Sequence, residues 1–127
     1  MEKRILSSDK APAAIGPYSQ GVQAGPFGFF SGMLGVDPAT GAFAGETAAE
    51  QAKQACENIR ALLADCGLTP ADVVKTTVFL KDLAEFGTVN AIYAELFPSE
   101  CPARSCVEVA RLPKDAQVEI EVITYKA

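Results

Sequence analysis

Histidine is absent from the 127 residues, and the four cysteines show no CxxC spacing. The first absence removes every Ser–His and Cys–His nucleophile pair. Proton transfer near neutral pH is then left to carboxylates, lysine, tyrosine or cysteine. The two absences together exclude the common zinc sets, so Cys56, Cys66, Cys101 and Cys106 read as reduced thiols, and neither metal nor cofactor is expected. Positive charge is also scarce. Eleven Lys and Arg against sixteen Asp and Glu give a formal net charge of -5, and no short window concentrates enough basic residues to track a phosphate backbone. Nucleic acid is therefore not an expected partner. Long apolar runs are missing as well. Lys3 and Arg4 are soon followed by Ser7, Ser8, Asp9 and Lys10 rather than by the apolar stretch of a signal peptide, and nothing approaches the ~18 apolar residues of a membrane span. The expectation is a soluble, cytoplasmic chain.

What is present is a globular composition, 49% hydrophobic and 21% charged, without repeats or low-complexity segments. Its length suits one domain, taken as residues 1–127. Lys3 to Ser7 reads as a short edge strand, and the Pro- and Gly-rich run from Ala11 to Pro17 as an extended loop. Tyr18 to Ala24 and Phe27 to Leu34 are strand-like runs around a Gly25-Pro26 hairpin connection. Asp37-Pro38-Ala39-Thr40-Gly41 is a turn, with a short strand near Phe43 after it.

Thr47 with Glu50 three residues on is a capping box that opens a helix. Ala52, Cys56, Ile59, Leu63 and Cys66 recur at helical spacing on its buried face, and Gly67 stops it. The β-branched run from Val73 to Leu80 predicts a strand buried on both faces. A second capping box, Asp82 with Glu85, opens a helix with Phe86, Val89, Tyr93 and Leu96 as its stripe; Pro98 ends it. Helices alternating with strands at these lengths give an α+β chain with both helices on one face of a single mixed sheet. Val73, Phe79 and Ile123 appear on the opposite face, which then needs a partner; self-association is the ordinary solution.

The stretch from Cys101 to Ile123 carries the chemistry. Strand alternation separates Ser105, Val107 and Val109 from Cys106, Glu108 and Ala110, and Val118, Ile120 and Val122 from Glu119, Glu121 and Ile123. Leu112-Pro113-Lys114-Asp115 between the two runs reads as a turn, so the two are expected to pair antiparallel, with Arg104 on one strand and Glu119 on the other. Arg104 offers a fork of donors that suits a carboxylate, although an arginine here is equally a surface or subunit-bridging residue. Burial would push the Glu119 pKa up and a nearby Arg104 would push it down. Glu121 and Glu108 read as solvated rim residues or intersubunit ion pairs. Asn90 is open between a cap and a subunit contact.

Pro102-Ala103-Arg104-Ser105, Val107-Glu108-Val109 and Val118-Glu119-Ile120-Glu121 resemble the reactive intermediate deaminase A family, also called RidA or YjgF. So do Ala14-Ile15-Gly16-Pro17-Tyr18-Ser19-Gln20, Ser31-Gly32 and Lys75-Thr76-Thr77-Val78-Phe79-Leu80, in family order over nearly the whole chain. The resemblance implies a chorismate-mutase-like fold that trimerises through the open sheet face, with sites in the clefts between subunits. It implies hydrolysis of 2-iminobutanoate and 2-iminopropanoate to 2-keto acids and ammonia. Arg104 and Glu119 are the catalytic residues it implies, Glu119 activating water. Tyr18, Gly32, Arg104 and Cys106 would bind substrate, Gly32 through its main chain and Cys106 through a carbonyl that orients the water. Cys101 stands where the family often carries a bulky residue, which leaves substrate range open. A non-catalytic trimer binding small carboxylates, and a chaperone-like or RNA-acting role, are the alternatives.

Overall fold

A computed structural model describes residues 2–127. Seven strands, β1 (Lys3–Leu6), β2 (Gly21–Ala24), β3 (Phe27–Phe30), β4 (Met33–Leu34), β5 (Val73–Leu80), β6 (Ala103–Glu108) and β7 (Val118–Tyr125), form one sheet in the order β1-β2-β3-β7-β5-β6. β4 continues alongside β7 beyond β3. Only β5 and β6 pair in parallel. Two helices, α1 (Ala48–Asp65) and α2 (Phe86–Leu96), make the crossovers and pack on the same face.

Local chemistry accounts for most of the element ends. The Thr47 hydroxyl accepts from the Glu50 amide at 3.1 Å while the Glu50 carboxylate accepts from the Thr47 amide, which closes the capping box of α1. Gly67, at φ 75°, follows the last turn in the left-handed region that glycine enters without strain. At the other capping site the expectation fails. Asp82 caps a single 3-10 turn, Leu83–Glu85, and α2 begins only at Phe86 with no side-chain cap. Asp82 accepts from Ala84 and Glu108 accepts from Leu83, so the opening donors are met without Glu85 reaching back. Phe86 is accordingly half-exposed rather than part of the buried stripe, which is Val89, Tyr93 and Leu96.

The core lies between the helices and one sheet face. Val78, Leu80, Val118 and Ile120 are fully buried against Ala52, Ile59, Leu62 and Leu63 of α1. Among the described residues no helix covers the reverse face. Ile5, Phe27, Phe29, Val107 and Tyr125 are 40–54% exposed there, and Phe79 and Ile123 are half-buried. Val73 does not join them. A bulge at Val74 shifts the register from Val73↔Thr124 to Lys75↔Ile123, which turns Val73 into the core.

Two further expectations are corrected. β6 and β7 do not pair with each other: β5 lies between them, parallel to β6 and antiparallel to β7. The nine residues from Val109 to Gln117 are long enough to pass the end of β5, and a strand with one fully buried face gains more at the centre than at an edge. The single strand expected from Phe27 to Leu34 breaks at Ser31-Gly32. Three residues there oppose two on β7 between Phe29↔Ile123 and Met33↔Ile120, and the Ser31 amide and hydroxyl turn instead to the Gln20 and Ser19 carbonyls.

The end of β4 touches α1 backbone to backbone, since a Cβ at Gly35 would overlap the Gln51 carbonyl. Gly35→Ala should therefore cost about 3 kcal/mol or more, the range of severe overpacking. Gly87→Ala, in α2 with open space around it, should be neutral to stabilising by up to about 1 kcal/mol. Urea unfolding of both variants checks the contrast.

Candidate active site

Glu119 projects from β7 onto the open face, where its register partners are Leu34 on β4 and Phe79 on β5. It forms part of the wall of a cavity of about 610 Å³, together with Tyr18, Ser31, Gly32, Pro12 and Lys114. Gly32 is what makes room for it: a Cβ there would stand 2.5 Å from Glu119 Oε2. Gly32 is expected to let a ligand approach the main chain closely; within the chain the group approaching it is the carboxylate itself. Burial pushes the Glu119 carboxyl above the ordinary range, and the Glu121 carboxylate two residues along adds to the shift.

The loop in front of the cavity is tied down by one side chain. Gln20 donates to the carbonyls of Ser8 and Pro12 at 3.0 and 2.7 Å and accepts from the Ser8 amide at 2.7 Å. This holds Pro12 and the segment leading to Tyr18, whose ring is half-exposed at the cavity wall.

Arg104 is elsewhere. In register with Thr76 it faces the helices, and Thr76 is buried against α2 through a 2.8 Å bond between its hydroxyl and Tyr93. The guanidinium lies 4.8 Å from the centre of the Tyr93 ring and 5.5 Å from that of Phe86, and donates from Nη1 to Asn90 Oδ1 at 2.7 Å. Phe86, Asn90 and Tyr93 are spaced four and three residues apart, so one face of α2 sets the position of the arginine. That spacing is the sequence signal for Asn90, which is neither a cap nor free here but bonded to the guanidinium. Cys106 lies on the same face two residues on; burial raises its thiol pKa against the lowering effect of Arg104, so it is held as a thiol. Glu108 is on this face too, bonded to the Leu83 amide, and is not a partner of Glu119.

Within one chain the fold thus brings Tyr18, Gly32 and Glu119 together and Arg104 with Cys106, but separates the two groups by the thickness of the sheet. The opposing influence of Arg104 on Glu119 expected from the sequence does not arise inside the chain. Among the described residues no group of three His, Cys, Asp or Glu side chains could hold a metal ion. Among the same residues no helix is long and apolar enough to cross a membrane.

Residues 8–126 match the protein family described as Endoribonuclease L-PSP. The chain belongs to that family. It is 52% identical over 126 residues to the 2-iminobutanoate/2-iminopropanoate deaminase of Salmonella typhimurium, covering 97% of this chain and 98% of that one. It is 48% identical to the chloroplastic Reactive Intermediate Deaminase A of Arabidopsis thaliana, covering 97% of this chain and 66% of the other. The structure of E. coli TdcF with bound serine superposes with a TM-score of 0.92 at 42% identity, covering 98% and 99%. The resemblance read from the motifs is thereby borne out, as is the fold: two helices on one face of a mixed sheet.

A carboxyl with a raised folded-state pKa binds its proton more tightly in the native than in the unfolded chain. Its contribution to stability is complete below the ordinary Glu value of about 4.3 and is lost as pH rises through the folded value. Replacing Glu119 by Gln should remove this penalty. Urea midpoints of Glu119→Gln should gain on wild type between pH 4 and pH 7; an equal difference at both would mean that burial does not perturb the carboxyl.

Proposed function

We propose that this protein hydrolyses 2-imino acids such as 2-iminobutanoate and 2-iminopropanoate to 2-keto acids and ammonia, as a cytoplasmic homotrimer with sites shared between neighbouring copies. The observation that carries the reading is the placement of Glu119, a half-buried carboxyl with a raised pKa in a cavity with no other carboxylate on its wall. A carboxyl shifted upward exchanges protons more readily at higher pH than an ordinary carboxylate does, and needs no histidine to do so. The names of the relatives supply the substrate class.

In the proposed mechanism Arg104 of a neighbouring copy pairs with the substrate carboxylate. Asn90, Tyr93 and Phe86 orient this arginine in advance, so little side-chain entropy is lost when the ligand binds. Glu119 removes a proton from water as its oxygen adds to C2 and passes that proton to the imine nitrogen, which gives the neutral carbinolamine. Glu119 then takes the hydroxyl proton of the carbinolamine and delivers it to the nitrogen as the C2–N bond breaks, so that ammonia departs from the new ketone. Tyr18 and the Gly32 main chain line the substrate, and the Cys106 carbonyl reaches the water from the Arg104 side. No metal or cofactor enters these steps.

Two features support self-association, and they need the same remedy. The exposed Ile5, Phe27, Phe29, Val107 and Tyr125 form an apolar face that a second copy would cover. Arg104 and Glu119, on opposite faces of one sheet, meet only if different chains contribute them. An endoribonuclease reading, which the family description names, has less support here. A net charge of -5 gives a phosphodiester no basic track, and the chain has no histidine for general acid–base cleavage.

A coupled assay that generates 2-iminobutanoate enzymatically and follows its decay tests the activity directly. Glu119→Gln should lower turnover by about 10²- to 10⁴-fold, the usual worth of a positioned base, while 2-ketobutanoate still binds by calorimetry. Arg104→Ala should lose both. Near wild-type turnover in Glu119→Gln would remove the general-base role.

The shared site has its own test. Neither variant is active alone, but in a trimer of mixed composition one of the three clefts receives Arg104 and Glu119 from two intact contributors. Refolding the two variants together in equal amounts should recover about a quarter of wild-type activity, by the symmetry of a closed ring. No recovery would place both residues in the same chain's site.

A further inference from the structure

We propose that Asn58, on α1 and not itself on the cavity wall, is a positioning residue for Glu119, acting through β4; the inference rests on the reading of Glu119 as the proton-transferring group. Asn58 is 1% exposed, and its amide donates to two carbonyls, Val36 at 2.8 Å and Leu34 at 3.2 Å, while its oxygen accepts from Gln54 at 2.8 Å. The bonds leave the amide one orientation.

The need for it lies in the shortness of β4. Two residues, Met33 and Leu34, pair with Ile120 and Glu119, and a ladder of that length cannot fix a strand by itself. The carbonyls of Leu34 and Val36 face the helix, where aliphatic groups offer them nothing, and an unpaired buried carbonyl is costly. Asn58 satisfies both. Gly35, between them, lets the chain lie against the α1 backbone at Gln51. Gln51 adds a parallel tie on the other strand, accepting from the Gln117 amide at 2.8 Å two residues before Glu119.

The far side of the same segment meets the carboxylate. Leu34 is the register partner of Glu119, and Gly32 leaves no space between its own Cα and the Glu119 side chain. β4 is therefore a spacer with α1 on one side and the carboxylate on the other. Releasing the α1 side lets β4 move and admits water to Glu119. A buried amide that merely satisfies its own bonds would stabilise the fold without altering how Glu119 titrates.

The experiment titrates Glu119 by carboxylate NMR in the full-length protein and, in parallel, records kcat against pH in the coupled assay. Asn58→Leu keeps the volume and removes both donors. Gln54→Leu, at a half-exposed position, frees the Asn58 amide to turn and is the milder variant should the first fail to fold. Leu6→Ala, a core truncation on β1 away from β4, is the control for general destabilisation. The other charged or titratable groups on the Glu119 side of the sheet are Glu121 and Tyr125 on β7, Lys75 on β5, Lys3 on β1, Lys114 and Tyr18 on the cavity wall, and in the assembly the neighbour's Arg104. All are retained in every variant.

In Asn58→Leu the Glu119 midpoint should fall toward the ordinary carboxylate range, and the acid limb of kcat should move to lower pH with it. Turnover should drop about ten- to a hundredfold with KM nearly unchanged, the cost of a misplaced reacting group. Gln54→Leu should shift in the same direction by less, and Leu6→Ala should not shift. A Glu119 midpoint that stays put in folded Asn58→Leu or Gln54→Leu, or that moves equally in Leu6→Ala, overturns the proposal. Wild-type protein without imine hydrolysis would instead sink the functional reading, and the NMR titration would still decide the role of Asn58.

Discussion

Strand alternation in register governs this molecule. β6, β5 and β7 lie side by side, Arg104 beside Thr76 and Glu119 beside Phe79, and the two-residue period of a strand sends the first pair to the helix face and the second to the open face. One face is closed by two helices and becomes the core. The other is left with a row of aromatic and aliphatic side chains, and Glu119 is set at its margin. The core, the unpaired face and the division of the candidate site between them are consequences of one geometric rule applied to three strands.

Each half of the site is then built by a different helix. α2 reaches Arg104 directly: Asn90 takes one nitrogen, and Tyr93, itself fixed by Thr76, lies beside the guanidinium plane. α1 acts at one remove, because the sheet stands between it and Glu119. The buried amides on α1, Gln51 and Asn58, bond to backbone at Gln117, Gly45, Leu34 and Val36, the segments flanking the carboxylate. A polar side chain under a sheet is costly unless its bonds are made, and these are made to main-chain groups.

Local signals were legible and non-local ones were not. The Thr47–Glu50 box, the Asp37–Gly41 turn with its Asp37-to-Ala39 bond, and the alternation of Val118, Ile120 and Val122 against Glu119 and Glu121 depend on residues within a few positions of each other. The choice of β5 over β7 as the neighbour of β6 depends on a competition among strands distant in sequence, and the turn chemistry of Leu112–Asp115 is compatible with either outcome. Lys114 and Asp115 are both left-handed in the structure, which a hairpin expectation cannot anticipate. The placement of Val73 failed for a related reason: one bulged residue inverts the face of everything before it, and Val-Val-Lys gives no composition signal for a bulge.

The site residues divide along the same line. Arg104, Glu119, Tyr18, Gly32 and Cys106 were found through motifs, which identify residues without saying which face of the sheet each occupies. Pairing Arg104 with Glu119 across a hairpin was the natural reading of two strands joined by a turn, and it fails because a third strand intervenes. That failure has functional content. On the proposed reading, a chain that carries its cationic anchor on one face and its proton-transferring carboxyl on the other cannot assemble the pair by itself, and the apolar face that looks like a defect of the monomer would also bring another copy to the carboxylate. Stability and chemistry would then be satisfied by one contact, and weakening the interface would cost both.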